Sequence, residues 1–546
     1  LTASSGILIT YSGYPYTPSS FMPDNGLANL AGALIKNGHD VLILDYSTVE
    51  IVKRLMPQDI RGDLIKLLPL LINADDNKLD DFRKISSRIE AHREREVYKI
   101  YKEIEEHIIR KKVNFIGFKL WMGDGFSDSI KIAEFIKRDH PEIKIYAGGP
   151  QSQLFRETIY KRTQIFDAVC YGEGEEIISI LADHSLDKAD LKDIPNIIYF
   201  NNGKIITNSL KRIDNLDSIT YPVYDLDIYP AMNNNGKINI FSIDDSRGCP
   251  NNCAFCCHSS ISGKKRRVKS VGRIFDEMKY IRARYHSRVM RFTGSNTPTD
   301  LLIDLSNRMI EDGSDFIYSA FSNLKGIDSE HIDSMKRSGL FGLFVGIESA
   351  DKRILKNDFD KSIDPDELRN TIKLLMDSGI FIVASFIYPA PSEDSESRNR
   401  TLNYILELFG NPLQSSVTVQ FPGMFPQSKW GMHPERYGFE VKDMEKYIND
   451  LMSYNIKQYL PASLWGDADY RVKGRSHLEI VHDMARFVKE IENNGILTRL
   501  LDEAAMMSYL LGIKPMDFKK EISASIFTAD YDALKEMVYN INRLVV

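Results

Sequence analysis

The sequence predicts an α/β protein in three parts: a Rossmann-like parallel-sheet domain, a partial (β/α)6 barrel, and a mainly helical C-terminal domain. Three observations carry this prediction. Over residues 1–190, β-rich runs alternate with helical periodicity, the signature of parallel strands joined by crossover helices. Between 236 and 430, six strand-then-helix units follow one another without a reversal signal, as a barrel or partial barrel requires. From 431 to 546 the pattern is mostly helical, with aromatic and Met residues. A length of 546 residues suits three to four domains at roughly 150 residues each.

In the first domain the strands are Ile7–Thr10, Val41–Leu44, Asn114–Phe118, Ile143–Ala147 and Ala168–Cys170. Helices are expected at Leu27–Lys36, closed by Asn37-Gly38, and at Asp128–Arg138, with the glycine supplying the left-handed C-cap. Residues 52–112 form an insertion whose Glu, Lys and Arg at helical spacing read as a solvated helical hairpin or cap. Residues 191–235, rich in Asn, Gly and Pro, read as a linker with room for one small hairpin. In the second domain the strands are Ile238–Asp244, Val289–Thr293, Phe316–Phe321, Leu343–Ile347, Phe381–Ile387 and Val417–Phe421.

Composition narrows the function. Seventy Lys+Arg against 76 Asp+Glu leave a net charge of -6, which argues against a protein held to nucleic acid by bulk electrostatics. No apolar run approaches the ~20 residues of a membrane span, so no membrane association is expected. Four of the five cysteines, Cys249, Cys253, Cys256 and Cys257, lie together, unlike a disulfide framework. Cytoplasmic localisation is expected, and Cys170 reads as a small buried hydrophobe.

Cys249-Pro-Asn-Asn-Cys253-Ala-Phe-Cys256 places three thiols on one loop with C-x3-C-x2-C spacing. A [4Fe–4S] cluster normally takes four thiolates, so three would leave one iron open to a chelating molecule. The alternative is zinc held by these cysteines, or Cys257, with His258; it lacks the second ligand pair that structural zinc sites use. This C-x3-C-x-Φ-C motif, with Phe255 as Φ, after the first strand of a six-unit βα domain, resembles the radical S-adenosylmethionine (SAM) superfamily. The resemblance implies that SAM chelates the open iron and is cleaved by one-electron reduction to a 5′-deoxyadenosyl radical, with an electron donor such as flavodoxin or ferredoxin.

The resemblance also implies SAM-binding residues at the strand ends. Phe255 belongs to the cluster loop; Gly294 and Ser295 follow the second strand and Asn323 the third. Gly346-Ile-Glu348-Ser349 is similar to the family's G-I-E-S segment, making Glu348 a candidate for the SAM ribose or amino group. Ser385-Phe-Ile-Tyr388 opens a segment similar to the adenine-binding F-I-x-G-x-P-G-E stretch, although Pro389 and Ser392 stand where glycines are expected.

Gly172-Glu-Gly174-Glu-Glu-Ile177 is an incomplete dinucleotide fingerprint and follows the last strand instead of the first. With the barrel behind it, the first domain instead resembles the cobalamin-binding domain of B12-dependent radical SAM enzymes. The pieces that match are Gly26–Ala31 with Gly38–Val41, then Ala147-Gly-Gly-Pro150, then Asp167–Glu175. The resemblance implies cobalamin at the C-terminal ends of the strands. Tyr14, Pro15, Lys119, Leu120 and Trp121 would face the corrin, and Gly148, Gly149, Gln151, Glu173 and Gly174 would receive the tail. No D-x-H-x-x-G occurs in this domain, so base-off, His-off cobalamin is expected.

The implied function is a cobalamin-dependent radical SAM methyltransferase moving methyl from methylcobalamin to an unactivated carbon of a small-molecule or peptide substrate. Alternatives are a rearrangement or cyclisation with the same cofactors, polar methylation without SAM homolysis, or a non-catalytic B12-binding sensor or carrier. Tyr459, Trp465, Tyr470 and Arg475 are the candidates for substrate contact.

Overall fold

A computed structural model describes residues 3–73, 79–455 and 466–546. Five parallel strands, β1 (Ser5–Thr10), β2 (Asp40–Asp45), β3 (Phe115–Lys119), β4 (Lys144–Gly148) and β5 (Ala168–Cys170), pair in the order β2-β1-β3-β4-β5. Both faces of this sheet are covered, which is why its strands read as continuous apolar runs. Ile7 and Ile9 pack into one core and Leu8 into the other. The stretch expected to be a linker contributes β6 (Ile197–Asn201) and β7 (Lys204–Thr207), which add antiparallel to β5 and extend the sheet to seven strands.

The insertion is more than a solvated cap. Its long helix, Leu79–Lys111, buries Val97, Ile100, Tyr101, Ile104 and Ile108. Those positions form one stripe at helical spacing, and the helix packs on Asp124–Asp139 as part of the crossover from β2 to β3. The abundance of charge on its other faces hides the stripe in the sequence.

The helix Asn25–Lys36 starts two residues before the expected position because the Asp24 side chain accepts from the Leu27 amide and caps it. Gly38, at φ +80°, follows its C-terminal end as the sequence predicts.

The second domain is an open sheet of six parallel strands: β8 (Phe241–Ile243), then, past the two-residue strands β9 (Ser246–Arg247) and β10 (Arg267–Val268), β11 (Val289–Phe292), β12 (Ile317–Ser322), β13 (Leu340–Glu348), β14 (Phe381–Ile387) and β15 (Ser415–Gln420). They pair in chain order from β8 to β15. The C-terminal region is helical apart from a small three-stranded sheet at Phe439–Glu440, Arg471–Val472 and Arg475–Ser476. The segment before its helix Asp502–Leu511 pairs with Val417 on the β15 edge. That edge attachment carries Asp502 and Glu503 to the barrel interior, where Arg291 pairs with both, at 2.8 Å and 3.0 Å.

Candidate active site

The cysteine loop hangs from a short clamp. β9 and β10 pair antiparallel and close the chain between them. Gly248, at φ +82°, is required there because a Cβ would sit 2.3 Å from the Lys265 carbonyl oxygen. The Cys249 amide donates to the Gly263 carbonyl at 2.9 Å. The loop is fixed from outside as well: the Ala254 amide donates to Phe359 O at 2.8 Å, and the Trp430 amide donates to Ala254 O at 3.0 Å. Phe255 lies edge-on to Phe359 and beside the ring of Trp430, which is fully buried.

Cys249, Cys253, Cys256 and Cys257 are free thiols, each partly accessible. Burial pushes the Cys253 and Cys256 thiols up to about 11, so both favour the neutral form until a cationic centre draws off their protons. Three partly accessible thiols on a backbone pinned at both ends suit a [4Fe–4S] cluster with one open iron.

Around the loop, the strand ends supply polar groups. Asp245, fully buried after β8, accepts from the Gly294 amide at 2.8 Å and from Ser246 Oγ at 3.0 Å. Burial pushes its carboxyl up to about 6. Gly294 is glycine for close approach: a Cβ would meet Ser246 Oγ at 2.3 Å. Glu348 ends β13 in the left-handed region, at φ +67°, and is 6% exposed. Lys361 Nζ lies 2.9 Å from both Glu348 Oε1 and Gly346 O, and its charge works against the rise of the Cys253 thiol. Ser385 stands beside Gly346 on β14. The Tyr388 ring stacks on Phe487 with centroids 4.0 Å apart, and Asn323 Oδ1 accepts from the Lys325 amide.

A cavity of about 330 Å³ joins the two domains. Its apolar lining is Leu8, Leu27, Leu30, Ile177, Ile178 and Leu181. Gly26, Gly148, Gly149, Gly172 and Gly174 line it as well, and so do His258 and Ser262, just past the cysteine loop, with Thr293 and Ser295 after β11. Apolar side chains with five glycines among them fit a bulky tail lying against main chain. Gly148 has room to spare, since a Cβ there would find its nearest neighbour at 3.8 Å; its bare backbone is not demanded by local packing.

Lys119, Gly148, Gly149, Glu173, Gly174 and Ser295 line this cavity. The other residues expected at cobalamin do not line this cavity. Tyr14 donates its hydroxyl proton to Ile526 O and lines a different cavity. Pro15, Leu120, Trp121 and Gln151 are not in the lining: Leu120 is buried in core, Trp121 donates from its indole N–H to Thr10 Oγ1 at 2.9 Å, and Gln151 Oε1 is buried without a partner among the described residues. Among the substrate candidates, Tyr470 is core and donates to Pro422 O, and Arg475 pairs with Asp483 at 3.3 Å. Tyr459 and Trp465 lie outside the described residues.

Glu173 does more than line the cavity. It pairs with buried Arg267 at 2.7 Å and accepts from the Ile213 amide at 2.6 Å. Glu175 pairs with Arg247, which also holds Asp244. Two carboxylates after β5 of the first domain thus grip β9 and β10, the clamp of the cysteine loop. Nothing local in the sequence separates Arg247 and Lys361 from surface cations; the pairing of Arg247 with Glu175, 72 residues away, and of Lys361 with Glu348 shows only in the fold.

Residues 243–405 match the Radical SAM superfamily, and residues 85–182 match the B12 binding domain. The chain joins a B12-binding domain to a radical SAM domain. Among curated relatives, an uncharacterized methyltransferase of Pyrococcus horikoshii is 29% identical over 302 residues, covering 54% of this chain and 65% of the relative. The anaerobic magnesium-protoporphyrin IX monomethyl ester cyclase of Rubrivivax gelatinosus is 25% identical over 329 residues, covering 58% of this chain and 57% of the relative. The chain therefore spans less than two thirds of the length of both. Its fold is that of the radical SAM methyltransferase TsrM from Kitasatospora setae, solved with cobalamin and a [4Fe–4S] cluster: TM-score 0.64 over 98% of this chain and 99% of that one, at 13% identity. A radical SAM domain takes a [4Fe–4S] cluster and SAM, and a B12-binding domain takes cobalamin.

Proposed function

We propose that this protein is a cobalamin-dependent radical SAM methyltransferase acting on an unactivated carbon of a small molecule or peptide. The observation that carries the reading is the single cavity lined both by the glycines of the B12-binding domain and by residues just past the cysteine loop of the radical SAM domain. When bound, the cluster and SAM supply a hydrogen-abstracting radical and cobalamin supplies a transferable methyl group. Cys249, Cys253 and Cys256 would hold the cluster, and Cys257 stands outside the motif. Glu348, paired with Lys361, would accept from SAM hydroxyl or amino groups, with Ser385 beside Gly346 on the adjoining strand and Ser295 after β11. Gly148, Gly149 and Gly174 would let the cobalamin tail lie against main chain, and the absence of D-x-H-x-x-G from the first domain favours the base-off, His-off state. An electron donor of the flavodoxin or ferredoxin kind would reduce the cluster.

A second reading, rearrangement or cyclisation with the same cofactors, draws on the likeness to a cyclase. Anaerobically reconstituted protein with cobalamin, SAM and a chemical reductant separates the two. Methyl transfer with radical chemistry forms both 5′-deoxyadenosine and S-adenosylhomocysteine. 5′-Deoxyadenosine alone supports the second reading, S-adenosylhomocysteine alone means polar methylation, and neither product overturns both.

A further inference from the structure

Leu210 and Arg212, from the segment between the two domains, also line the cavity that joins them. Hydrogen bonds to the turn after β5 fix their place. Asn196 Nδ2 donates to Glu173 O at 3.1 Å and to Lys211 O at 2.8 Å, and Asn196 Oδ1 accepts from the Lys211 amide at 2.6 Å. The Ile213 amide, one residue past Arg212, donates to the Glu173 carboxylate. On its other side Arg212 lies against the end of the cysteine loop: Nη2 donates to Ile261 O at 3.4 Å, and a Cβ on Gly263 would meet Nε at 3.0 Å.

The cavity's charges are nearly all spoken for. Its lining cations are Lys119, Arg212 and Arg247. Lys119 pairs with Asp24 at 2.6 Å, and Arg247 pairs with Glu175 and Asp244. Glu173 is taken by Arg267. Burial lowers the pKa of His258, so its imidazole is neutral at pH 7 and adds no cation. Arg212 differs from the other two. It has no carboxylate partner among the described residues, and its Nε is buried without a hydrogen-bond partner. A buried donor left unsatisfied carries a desolvation cost that a ligand's acceptor removes. A guanidinium is suited to do this with an oxyanion, through paired N–H groups in a fixed fork.

An occupant that suits this cavity has an apolar part for the Leu and Ile side chains and one anionic group for Arg212. Cobalamin's peripheral side chains are neutral amides except for one, which carries a phosphodiester and ends in a flat, apolar base. We propose that Arg212 holds this phosphodiester and thereby selects a complete corrinoid over one that lacks the nucleotide tail. The assignment rests on the reading of this cavity as the cobalamin site.

The test measures equilibrium dialysis of hydroxocobalamin and of cobinamide, the same corrin without phosphate, ribose or base, against the reconstituted full chain. Arg212→Gln should weaken cobalamin at least tenfold, as loss of a hydrogen-bonded charge does, and leave cobinamide within twofold of wild type. Arg212→Lys, which keeps the charge, should recover at least threefold of that loss. Raising the KCl concentration tenfold should weaken cobalamin in wild type more than in Arg212→Gln, because only the former has an ion pair to screen. Both variants should melt like wild type, and SAM affinity of the cluster-loaded chain should be unchanged in both. Cobalamin affinity unaffected by Arg212→Gln, equal loss of both corrinoids, equal loss in the Gln and Lys variants, or equal salt dependence in wild type and Arg212→Gln each overturns the proposal. Weakened SAM with cobalamin unchanged overturns it too, and gives Arg212 to the SAM carboxylate. A wild-type chain that retains neither corrinoid overturns the cobalamin reading itself.

Discussion

The cluster loop and the cobalamin slot are built in opposite ways. The loop packs the three sulfurs proposed as ligands into Cys249–Cys256, and the rest of the molecule pins it. The slot has no such stretch. Its glycines come from the start of the helix Asn25–Lys36, the end of β4 and the turn after β5, and further lining residues belong to the other domain. Chemistry that needs particular side chains concentrates in sequence, whereas shape that needs missing side chains is spread over the fold. The two sites should therefore fail independently when each is attacked in its own terms, and together when the Glu173–Arg267 clamp between them is broken.

The largest effect belongs to the ligands. Replacing Cys249, Cys253 and Cys256 by Ala should abolish the brown iron–sulfur absorbance and all SAM cleavage while cobalamin still binds; Cys257→Ala should keep both. Iron retained by the triple variant would mean the loop is not the cluster site. Gly148→Phe comes next. Local packing tolerates a Cβ there, so the chain should fold and keep its cluster while cobalamin affinity falls at least a hundredfold in equilibrium dialysis; unchanged affinity would place cobalamin elsewhere.

Breaking the clamp should couple the sites. Glu173→Gln leaves Arg267, whose side chain is 4% exposed, without its carboxylate. Loss of one partner from a buried pair costs about 3 kcal/mol. Calorimetry should show a lower melting temperature, with both cobalamin retention and cluster content reduced. Loss of one cofactor alone would break the comparison.

The smallest effect is a pH dependence. Burial raises the Asp245 carboxyl to about 6, so ionising it opposes folding. That cost is absent below about pH 4, grows as pH rises to 6, and is constant above, at on the order of 2–3 kcal/mol. Asp245→Asn, which can still accept from the Gly294 amide, should therefore gain stability relative to wild type as pH rises from 4 to 6. A difference in melting temperature that stays flat across that window contradicts the assignment.

Much of this architecture was legible in the sequence. Period and punctuation located both sheets, and the cysteine spacing marked the loop that β9 and β10 clamp. Side-chain direction in loops was not legible: Tyr14 and Trp121 follow strands that do end at the slot, yet the loops turn them towards Ile526 and Thr10. Nor was an apolar stripe beneath heavy surface charge, as on Leu79–Lys111, or an anchor such as Trp430, whose indole donates to Asp358 O at 3.0 Å across 72 residues. Tyr470, an aromatic in a loop-like stretch, turned out to fill core because the small sheet at Arg471–Val472 folds back over it. No helix among the described residues is long and apolar enough to cross a membrane, in line with the absence of a long apolar run.

The central claim is that one cavity brings cobalamin up to the cluster loop, and electron paramagnetic resonance of the reconstituted chain tests it most directly. With cobalamin mildly reduced to cob(II)alamin, the account predicts a base-off signal without nitrogen superhyperfine splitting that survives desalting and broadens when the cluster is reduced. Cobalamin lost on desalting, splitting from an axial nitrogen, or a cobalt signal indifferent to the cluster would contradict it.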